Sequence, residues 1–472
     1  MIEYSQPNTH KAFHVGHMRN AALGDCLVRL YDFVGHEVIA ANYFGDEGAH
    51  IAKCLWKVRK EKKKEKLPNK IYIVGPEFNP TPGAQLTELG KTAKDVESVT
   101  SEIKKRNGEV GDMLRAMEEG DKEAVALWEK TKKWSLDEFK RIYNWLSCRF
   151  DHDFFESEVS ESSRKLVISL FEKGILTKDN GAICANLNKY KLGFLILLKS
   201  NGTGLYATKD LALAQVKFEK FKVEKSVYVV DASQTLHFQQ VFKVLELMGY
   251  EQAKKCTHLP YGMVVLKSGK MSSRKGTVIF FKALKEMLSK HLMEEYLSKY
   301  EGKWAPEEIE EAKRQLAVGT IKYGMLNHDV SKDVVFEMDK WSAKTGTTGP
   351  YNMYAYTRSV GIKRQVDEGK SKCKPGKVDP SILKAQVERD ILIHIGSFWT
   401  VVNDCVAKNN PSALCGYVFN LSKYFNGWYE NTHVAGSETP DELATRLALS
   451  QAIGKTIKAS LNLLGITTLE KM

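Results

Sequence analysis

The chain has 472 residues, room for about three domains at roughly 100–200 residues each, and can bury a large core without disulfide or metal staples. Hydrophobic residues at 43%, charged residues at 27%, a mean hydropathy of −0.34 and no apolar run of about 18 residues exclude a protein built around membrane-spanning helices. Lys plus Arg outnumber Asp plus Glu by 70 to 58, a formal charge of +12, which favours polyanionic partners: nucleic acid first, phosphorylated ligands next.

In chain order, residues 2–5 read as a short strand, Pro7-Asn8 as a turn, and His14-Val15-Gly16-His17 as a loop opening a helix. Met18, Ala21, Ala22, Leu23, Leu27, Leu30 and Tyr31 recur at helical spacing, Gly35 is placed to stop that helix, and residues 38–43 read as a second buried strand. This is βαβ grammar, with a strand-to-helix loop where an anion meets free backbone N–H groups and the positive end of the helix dipole. From 57 to 190 the pattern turns to charged helices, including a lysine-dense run at 57–66, and reads as an insertion. A strand at 194–198, a helix at 209–221 and a strand at 226–230 restore the alternation and are expected to complete the sheet. Strands are expected at 261–266 and 277–281 around a cationic loop, and from about 339 the apolar spacing is helical to the end.

The eight cysteines show no C-x-x-C pair and no histidine at zinc-ligand spacing, so they read as reduced residues, mostly in the core, and no protein-bound zinc is expected. Residues 1–5 resemble neither a secretory signal nor a transit peptide, which makes the cytoplasm the expected location.

Two elements carry chemistry. In His14-Val15-Gly16-His17 the glycine allows close backbone approach and two imidazoles can donate to phosphate oxygens. Far downstream, Lys270-Met271-Ser272-Ser273-Arg274-Lys275-Gly276 forms a cationic loop, and the pair is more specific than either part. In order and separation they resemble the HIGH and KMSKS signatures of class I aminoacyl-tRNA synthetases. Around them the chain is similar to arginyl-tRNA synthetases over nearly its whole length: Ser5-Gln6-Pro7-Asn8 with Lys11, Gly45-Asp46, Tyr206-Ala207-Thr208-Lys209-Asp210-Leu211-Ala212, Val229-Val230-Asp231 with Gln234 and His237-Phe238, Gly349-Pro350-Tyr351 with Tyr354 and Arg358, and Leu463-Leu464-Gly465-Ile466 before the final Met472.

The resemblance implies an α/β Rossmann-like (HUP-type) catalytic domain with a helical insertion, followed by an all-α C-terminal anticodon-binding bundle. The expected units are the first catalytic half at 1–56, the insertion at 57–190, the second half at 191–265, the KMSKS-like loop and stem-contact region at 266–338, and the anticodon-binding domain at 339–472. The implied activity is arginine–tRNA ligation, with L-arginine, ATP with Mg2+ and tRNA(Arg) as partners, a first step that depends on tRNA, and a monomer. His14, Gly16, His17, Lys11, Lys270, Ser272, Arg274 and Lys275 are the implied catalytic set. Glu3, Gln6, Pro7, Asn8, His17, Tyr206, Asp210 and Gln234 are implied for arginine, and His14, His17, His237, Gly262, Met263, Val264 and Lys270 for ATP. Tyr351, Tyr354, Arg358 and the Met472 end are implied for tRNA.

Two departures from the family pattern stand out: Ser273 where a second lysine is common, which Lys11, Arg274 or Lys275 would replace, and Gln6 where serine is common. These enzymes usually carry a further N-terminal domain that touches the tRNA elbow. Here the implied pocket residue Glu3 is third in the chain, so that domain is expected to be absent, through truncation or in a minimal enzyme. The chemistry is consistent with this set, because an amino-acid carboxylate is already ionised at pH 7 and attacks the α-phosphate of ATP without a general base. Catalysis then rests on donors to the developing phosphate charge. The competing readings are a class I synthetase for another amino acid, a HIGH-loop nucleotidyltransferase, and a non-catalytic tRNA-binding relative.

Overall fold

The computed structural model describes residues 1–62, 93–266, 269–270 and 278–472. Strand β1 (Ile2–Glu3) leads through a tight loop into helix α1 (Val15–Phe33), and the chain returns as β2 (Ala40–Phe44). Helices α2 (Ala49–Lys62), α3 (Ala93–Glu118) and α4 (Lys122–Leu146) follow, then β3 (His152–Phe155), α5 (Glu156–Glu172) and a meander of β4 (Thr177–Asp179), β5 (Ala182–Asn186) and β6 (Phe194–Leu198). Helix α6 (Tyr206–Phe221), β7 (Ser226–Asp231), α7 (Thr235–Leu247) and β8 (Cys256–Tyr261) complete a five-stranded sheet of order β3-β2-β1-β7-β8, parallel throughout. Ala40, Ala41 and Phe44 are buried in succession, as expected for a parallel strand covered on both faces.

Two sequence expectations change here. The stretch 57–190 is not wholly an insertion, because β3 is an edge strand of the central sheet, paired with β2 from Ala41–His152 to Phe44–Phe155. Four residues paired on one side only carry too little period-2 signal to stand out between charged helices. Conversely, residues 194–198 do form a strand, but β6 pairs antiparallel with β5 in a separate sheet, and β7 and β8 supply the other half of the central one.

A small third sheet joins β9 (Val264–Leu266), β10 (Gly269–Lys270) and β11 (Val334–Val335). The strand expected at 277–281 is reduced to one bridge between Phe280 and His14, and α8 (Phe281–Leu292) begins at once. Thr277 lies outside the described residues, and four apolar residues do not distinguish a strand from a helix entrance. The remainder is helical apart from β11: α9 (Pro306–Leu326), α10 (Met338–Trp341), α11 (Gly349–Asp367), α12 (Gln386–Gly396), α13 (Phe398–Lys408), α14 (Ser412–Asn431) and α15 (Pro440–Leu463). Gly349 lets α11 start against the backbone of α9, since a Cβ there would strike the Gly319 carbonyl. No described helix is long and apolar enough to cross a membrane.

Helix α1 runs through the middle of this arrangement, and even its polar residues are buried: Arg19, Asn20 and Asp25 all have fixed partners. Asp25 receives Lys322 Nζ from α9 at 2.7 Å and Arg29 Nε at 2.9 Å, with both Asp25 and Lys322 fully buried. Burial raises the Asp25 carboxyl pKa, but the Lys322 and Arg29 charges outweigh it and hold it below the ordinary value. Gly465, in the left-handed region at φ 71°, passes so close that a side chain would collide with both Lys322 and Asp25.

Lys322→Ala should therefore lower stability by about 3–5 kcal/mol, because it strands a buried carboxylate, as measured by denaturant unfolding. The contribution of Asp25 is present at neutral pH and should fade as pH falls through its lowered folded-state pKa.

Candidate active site

The carboxyl ends of the central strands, where β1 and β2 leave the sheet and α1 enters, form the site, as expected for a parallel α/β sheet. His14 caps α1 and His17 stands at its third position in a reciprocal capping box. Gly16 N–H donates to His14 Nδ1 at 3.1 Å and His14 N–H donates to His17 Nδ1 at 3.2 Å. The rings stack with centroids 3.8 Å apart, and a Cβ on Gly16 would press on the His14 ring at 3.0 Å, which explains the glycine. Burial lowers the His14 pKa to about 4, with Lys11 adding to the effect, and holds His17 well below its ordinary value, helped by His14 and Lys11. Both imidazoles are therefore neutral at pH 7. Because each Nδ1 accepts a backbone N–H, each ring carries its proton on Nε2, leaving two aimed donors.

Lys11 stands beside them, with its charge acting on His14, His17 and His50. Burial lowers its own pKa and Glu156 opposes the shift. The segment that follows the cationic loop in the chain is tied to the same place: Val15 N–H donates to the Ile279 carbonyl at 3.1 Å and Phe281 N–H to that of Phe13 at 2.9 Å. Lys270 lies in β10, while Ser272, Arg274 and Lys275 fall outside the described residues, as do positions 63–66 of the lysine-dense run.

The loop after β1 is strained. Ser5 (φ 74°) and Gln6 (φ 45°) are both left-handed without being glycine, a conformation that survives only where the surroundings hold it. Asn20 Oδ1 accepts Ser5 N–H at 2.7 Å and Asn42 Oδ1 accepts Gln6 N–H at 3.1 Å. Past Pro7, Asn8 bridges Gly45, where a Cβ would collide with the Asn8 amide and approach Glu156 Oε1 at 3.3 Å.

Acidic groups collect on the far side of this loop. Tyr206, 59% exposed, opens α6, and Asp210 lies one turn on, its carboxylate 2.6 Å from His237 Nε2. Glu156 starts α5 and shares Lys209 with Glu47, at 2.9 and 2.7 Å. Burial raises Glu156 to about 7 against the opposing Lys209 charge, with Asp210 and Asp46 adding to the rise. Asp46, fully buried, takes Lys132 at 2.5 Å and Ser157. Half-buried Tyr43 feels Asp210, Glu156, Glu3 and Asp46 together. Gln234, exposed, ends the turn before α7.

The structure redistributes several expected roles. His237, expected at ATP, spends Nε2 on Asp210. The backbone expected to serve adenine is largely engaged: Gly262 N–H donates to the Val330 carbonyl, Met263 N–H to Asp333 at 2.7 Å, and both their carbonyls accept from Arg19. Met263 itself is 41% exposed, whereas Val264 is buried in β9. Glu3 is buried in internal contacts with Gln6 and Lys217. Tyr351, Tyr354 and Arg358 do share α11, but only Tyr354 is exposed. Arg358 lies over the Tyr354 and Tyr429 rings at 4.6 and 5.1 Å, and Tyr351 packs toward Phe419. Met472 is buried in the core rather than presented at the surface. Sequence reasoning misses Glu156, Lys209, Asn20 and Lys217; an acid directly after the Phe154-Phe155 strand end is the available signal for Glu156.

Comparison with known proteins is consistent across sequence and fold. Residues 1–338 match the model of tRNA synthetases class I (R), catalytic domain, and residues 352–472 the DALR anticodon binding domain. The arginine–tRNA ligase of Bdellovibrio bacteriovorus is 41% identical over this whole chain, which covers 79% of that protein, and the one from Clostridium perfringens is 34% identical with 80% covered. The solved arginyl-tRNA synthetase of Thermus thermophilus shares the fold, with a TM-score of 0.78 at 24% identity, covering all of this chain and 82% of that one. The chain belongs to the arginyl class I aminoacyl-tRNA synthetase family.

Proposed function

We infer that the protein is an arginine–tRNA ligase: it joins L-arginine to AMP from ATP, releasing pyrophosphate, and passes the arginyl group to the 3′ end of tRNA(Arg). The observation that carries this is the pair of Nε2–H imidazole donors at the start of α1, linked through the Lys11 charge to the acidic group of Glu156 and Asp210. A guanidinium requires such acids, since a planar fork left without a carboxylate partner is strongly disfavoured. Tyr206, Asn8, Gln234 and the Gln6-Pro7 backbone are assigned to the rest of the amino acid.

His14 and His17 donate to the phosphate charge as it develops, and being neutral and pre-aimed they need no reorganisation. ATP enters with Mg2+ as substrate. His14, His17, Lys270, the Gly262–Val264 segment and, on the adenine side, His237 are assigned to it, with Val264 and the second carbonyl lone pair of Gly262 left for the base edge, since the Met263 carbonyl already accepts from both Arg19 and the Val334 N–H. Lys11 is assigned the charge that Ser273 does not supply, with Arg274 and Lys275 sharing it. For tRNA, the exposed Tyr354 with Arg358 offers a stacking and cationic surface suited to unpaired anticodon bases, and the +12 charge suits many phosphates. Eight free thiols fit a reducing, cytoplasmic setting, and a monomer is assigned.

Arginine-dependent ATP–pyrophosphate exchange is expected, and with it a requirement for tRNA(Arg); absent exchange with both present, or equal exchange with another amino acid, overturns the assignment. His17→Ala should lower kcat by about 10²-fold, as for other lost transition-state donors, in a single-turnover assay. With Glu156 near 7 and His14 near 4, kcat/KM for arginine should rise with pH through about 7 as Glu156 ionises, with no histidine limb between. In Glu156→Gln that rise should vanish from the pH profile.

A further inference from the structure

His10 is buried, and its backbone is left-handed at φ 62°, a conformation disfavoured for a residue with a bulky side chain. Both ring nitrogens are engaged: Nε2 lies 2.7 Å from Thr131 Oγ1 and Nδ1 lies 3.0 Å from Thr9 Oγ1. The Thr131 hydroxyl donates to the Leu127 carbonyl at 2.8 Å, so it accepts from His10 Nε2–H, and Nδ1 is left to accept from Thr9. The His10 backbone N–H adds a third bond, to Ser135 Oγ at 3.0 Å. Burial lowers the His10 pKa to about 4 against the Asp46 charge, so the ring is neutral at pH 7 and keeps this arrangement.

Thr131 and Ser135 share one face of α4 with Trp128 and Lys132, by their spacing of three and four. That face grips two neighbouring loops. Trp128 Nε1–H donates to the Asp46 carbonyl at 2.9 Å, and Lys132 Nζ pairs with the Asp46 carboxylate at 2.5 Å. Thr9 N–H in turn donates to the Gly45 carbonyl at 2.9 Å. One helix thus holds residues 9–10 and 45–46 together, and the residue it releases next is Lys11. The Lys11 side chain is exposed, and on a flexible four-carbon stem only the direction of its root sets where the ammonium can reach. A residue 10 relaxed to the right-handed region would send the chain off differently at residue 11, away from His14 and His17, on which the Lys11 charge now acts. The left-handed turn survives because its surroundings hold it, and the ring of His10 makes two of the three bonds that do so.

We propose that His10 is a positioning residue for Lys11: wedged between Thr9 and α4, its ring locks the turn that aims the Lys11 ammonium at the phosphates of ATP. The proposal rests on the assignment of Lys11 to ATP made above and adds the device that directs it.

The test is ATP–pyrophosphate exchange in the presence of tRNA(Arg), comparing wild type, His10→Leu, His10→Asn, Lys11→Met and the double variant His10→Leu/Lys11→Met. His10→Leu makes neither ring bond and disfavours the turn; it should lower kcat/KM for ATP by about 10-fold while the KM for arginine stays within about 2-fold. His10→Asn, which tolerates the left-handed region and still offers a side-chain oxygen to Thr9, should stay within about 3-fold of wild type. In the Lys11→Met background the His10→Leu change should cost less than about 2-fold, because the residue it acts through is gone. The proposal is overturned by a His10→Leu loss as large with Lys11→Met as without it, by an equal loss on the arginine side, by an asparagine variant no better than the leucine one, or by an ATP kcat/KM unchanged in either single variant, His10→Leu or Lys11→Met. Should His10→Leu fail to fold, Thr131→Val takes its place in the cycle. It removes the acceptor of His10 Nε2–H with little change of shape, and the same ATP-selective loss, absent beside Lys11→Met, is expected; any other pattern overturns the proposal. A wild-type enzyme without arginine-dependent exchange would instead sink the functional reading itself.

Discussion

The aim of the two imidazoles depends on how helix α1 is held along its length. Three buried polar side chains do this, each reaching a different part of the protein. Asn20 grips the Ser5-Gln6 turn and the Val229 carbonyl of β7. Arg19 crosses to the carbonyls of Gly262, Met263 and Val330, fixing the segment that leads into β9. Asp25 closes on Lys322 of α9. Hydrogen bonds to charged groups contribute about 1.5–3 kcal/mol each, and a buried pair costs more to break than to omit, so the helix resists sliding or rotating. A helix fixed only by apolar packing would keep its depth but not its register, and register is what the Nε2 donors require.

The same site divides electrically. On the acid side, Asp46, Glu47, Glu156 and Asp210 face Lys132 and Lys209 in direct ion pairs, with Lys11 acting on Glu156 at longer range and His237 on Asp210. In this buried setting the Glu156 carboxyl rises to about 7, chiefly through burial, with Asp210 and Asp46 adding to the rise. On the arginine reading proposed above, an arriving guanidinium would add positive charge to this group, and a neutral amino acid of similar length would not. On that reading, analogues lacking the guanidinium would be disfavoured by leaving acids unpaired, a stronger penalty than a missing methylene in an apolar slot. Burial keeps His14 and His17 uncharged beside Lys11, which leaves their Nε2–H groups as donors that are not already bound to carboxylates.

How much of this was legible in the sequence follows from the range of each interaction. The His14–His17 loop, helix α1 and β2 were readable because capping and 3.6-residue periodicity are local. The helical C-terminal part was readable for the same reason. Strand β3 was not, because a four-residue edge strand gains its identity from β2 across the sheet. Residues 194–198 read correctly as a strand but not as a member of the right sheet, since strand pairing is not written in the strand itself. Glu156 and Lys217 look like any helical surface charge; only the fold brings the first beside Asn8 and Gly45 and the second 2.5 Å from Glu3, far away along the chain. Resemblance supplied the arginine set as a group of names, and the structure adds the partners Glu3 has within the protein, Gln6 and Lys217.

The C-terminal segment joins two of these themes. Thr357 Oγ1 and an Arg364 guanidinium N–H, both on α11, donate to the carbonyls of Leu469 and Glu470, at 2.8 and 3.1 Å. The same helix carries exposed Tyr354 with Arg358. Shortly before Leu469, Gly465 packs on the Asp25–Lys322 pair that anchors α1. Met472, buried at the end, fixes the segment from the other side. One short stretch, 465–472, therefore touches both the helix that carries Tyr354 and Arg358 and the anchor of the helix that bears His14 and His17. Because the Gly465 contact has no room for a side chain, displacement of this stretch cannot be absorbed by a flexible rotamer there and must be passed to the backbone or to the ion pair.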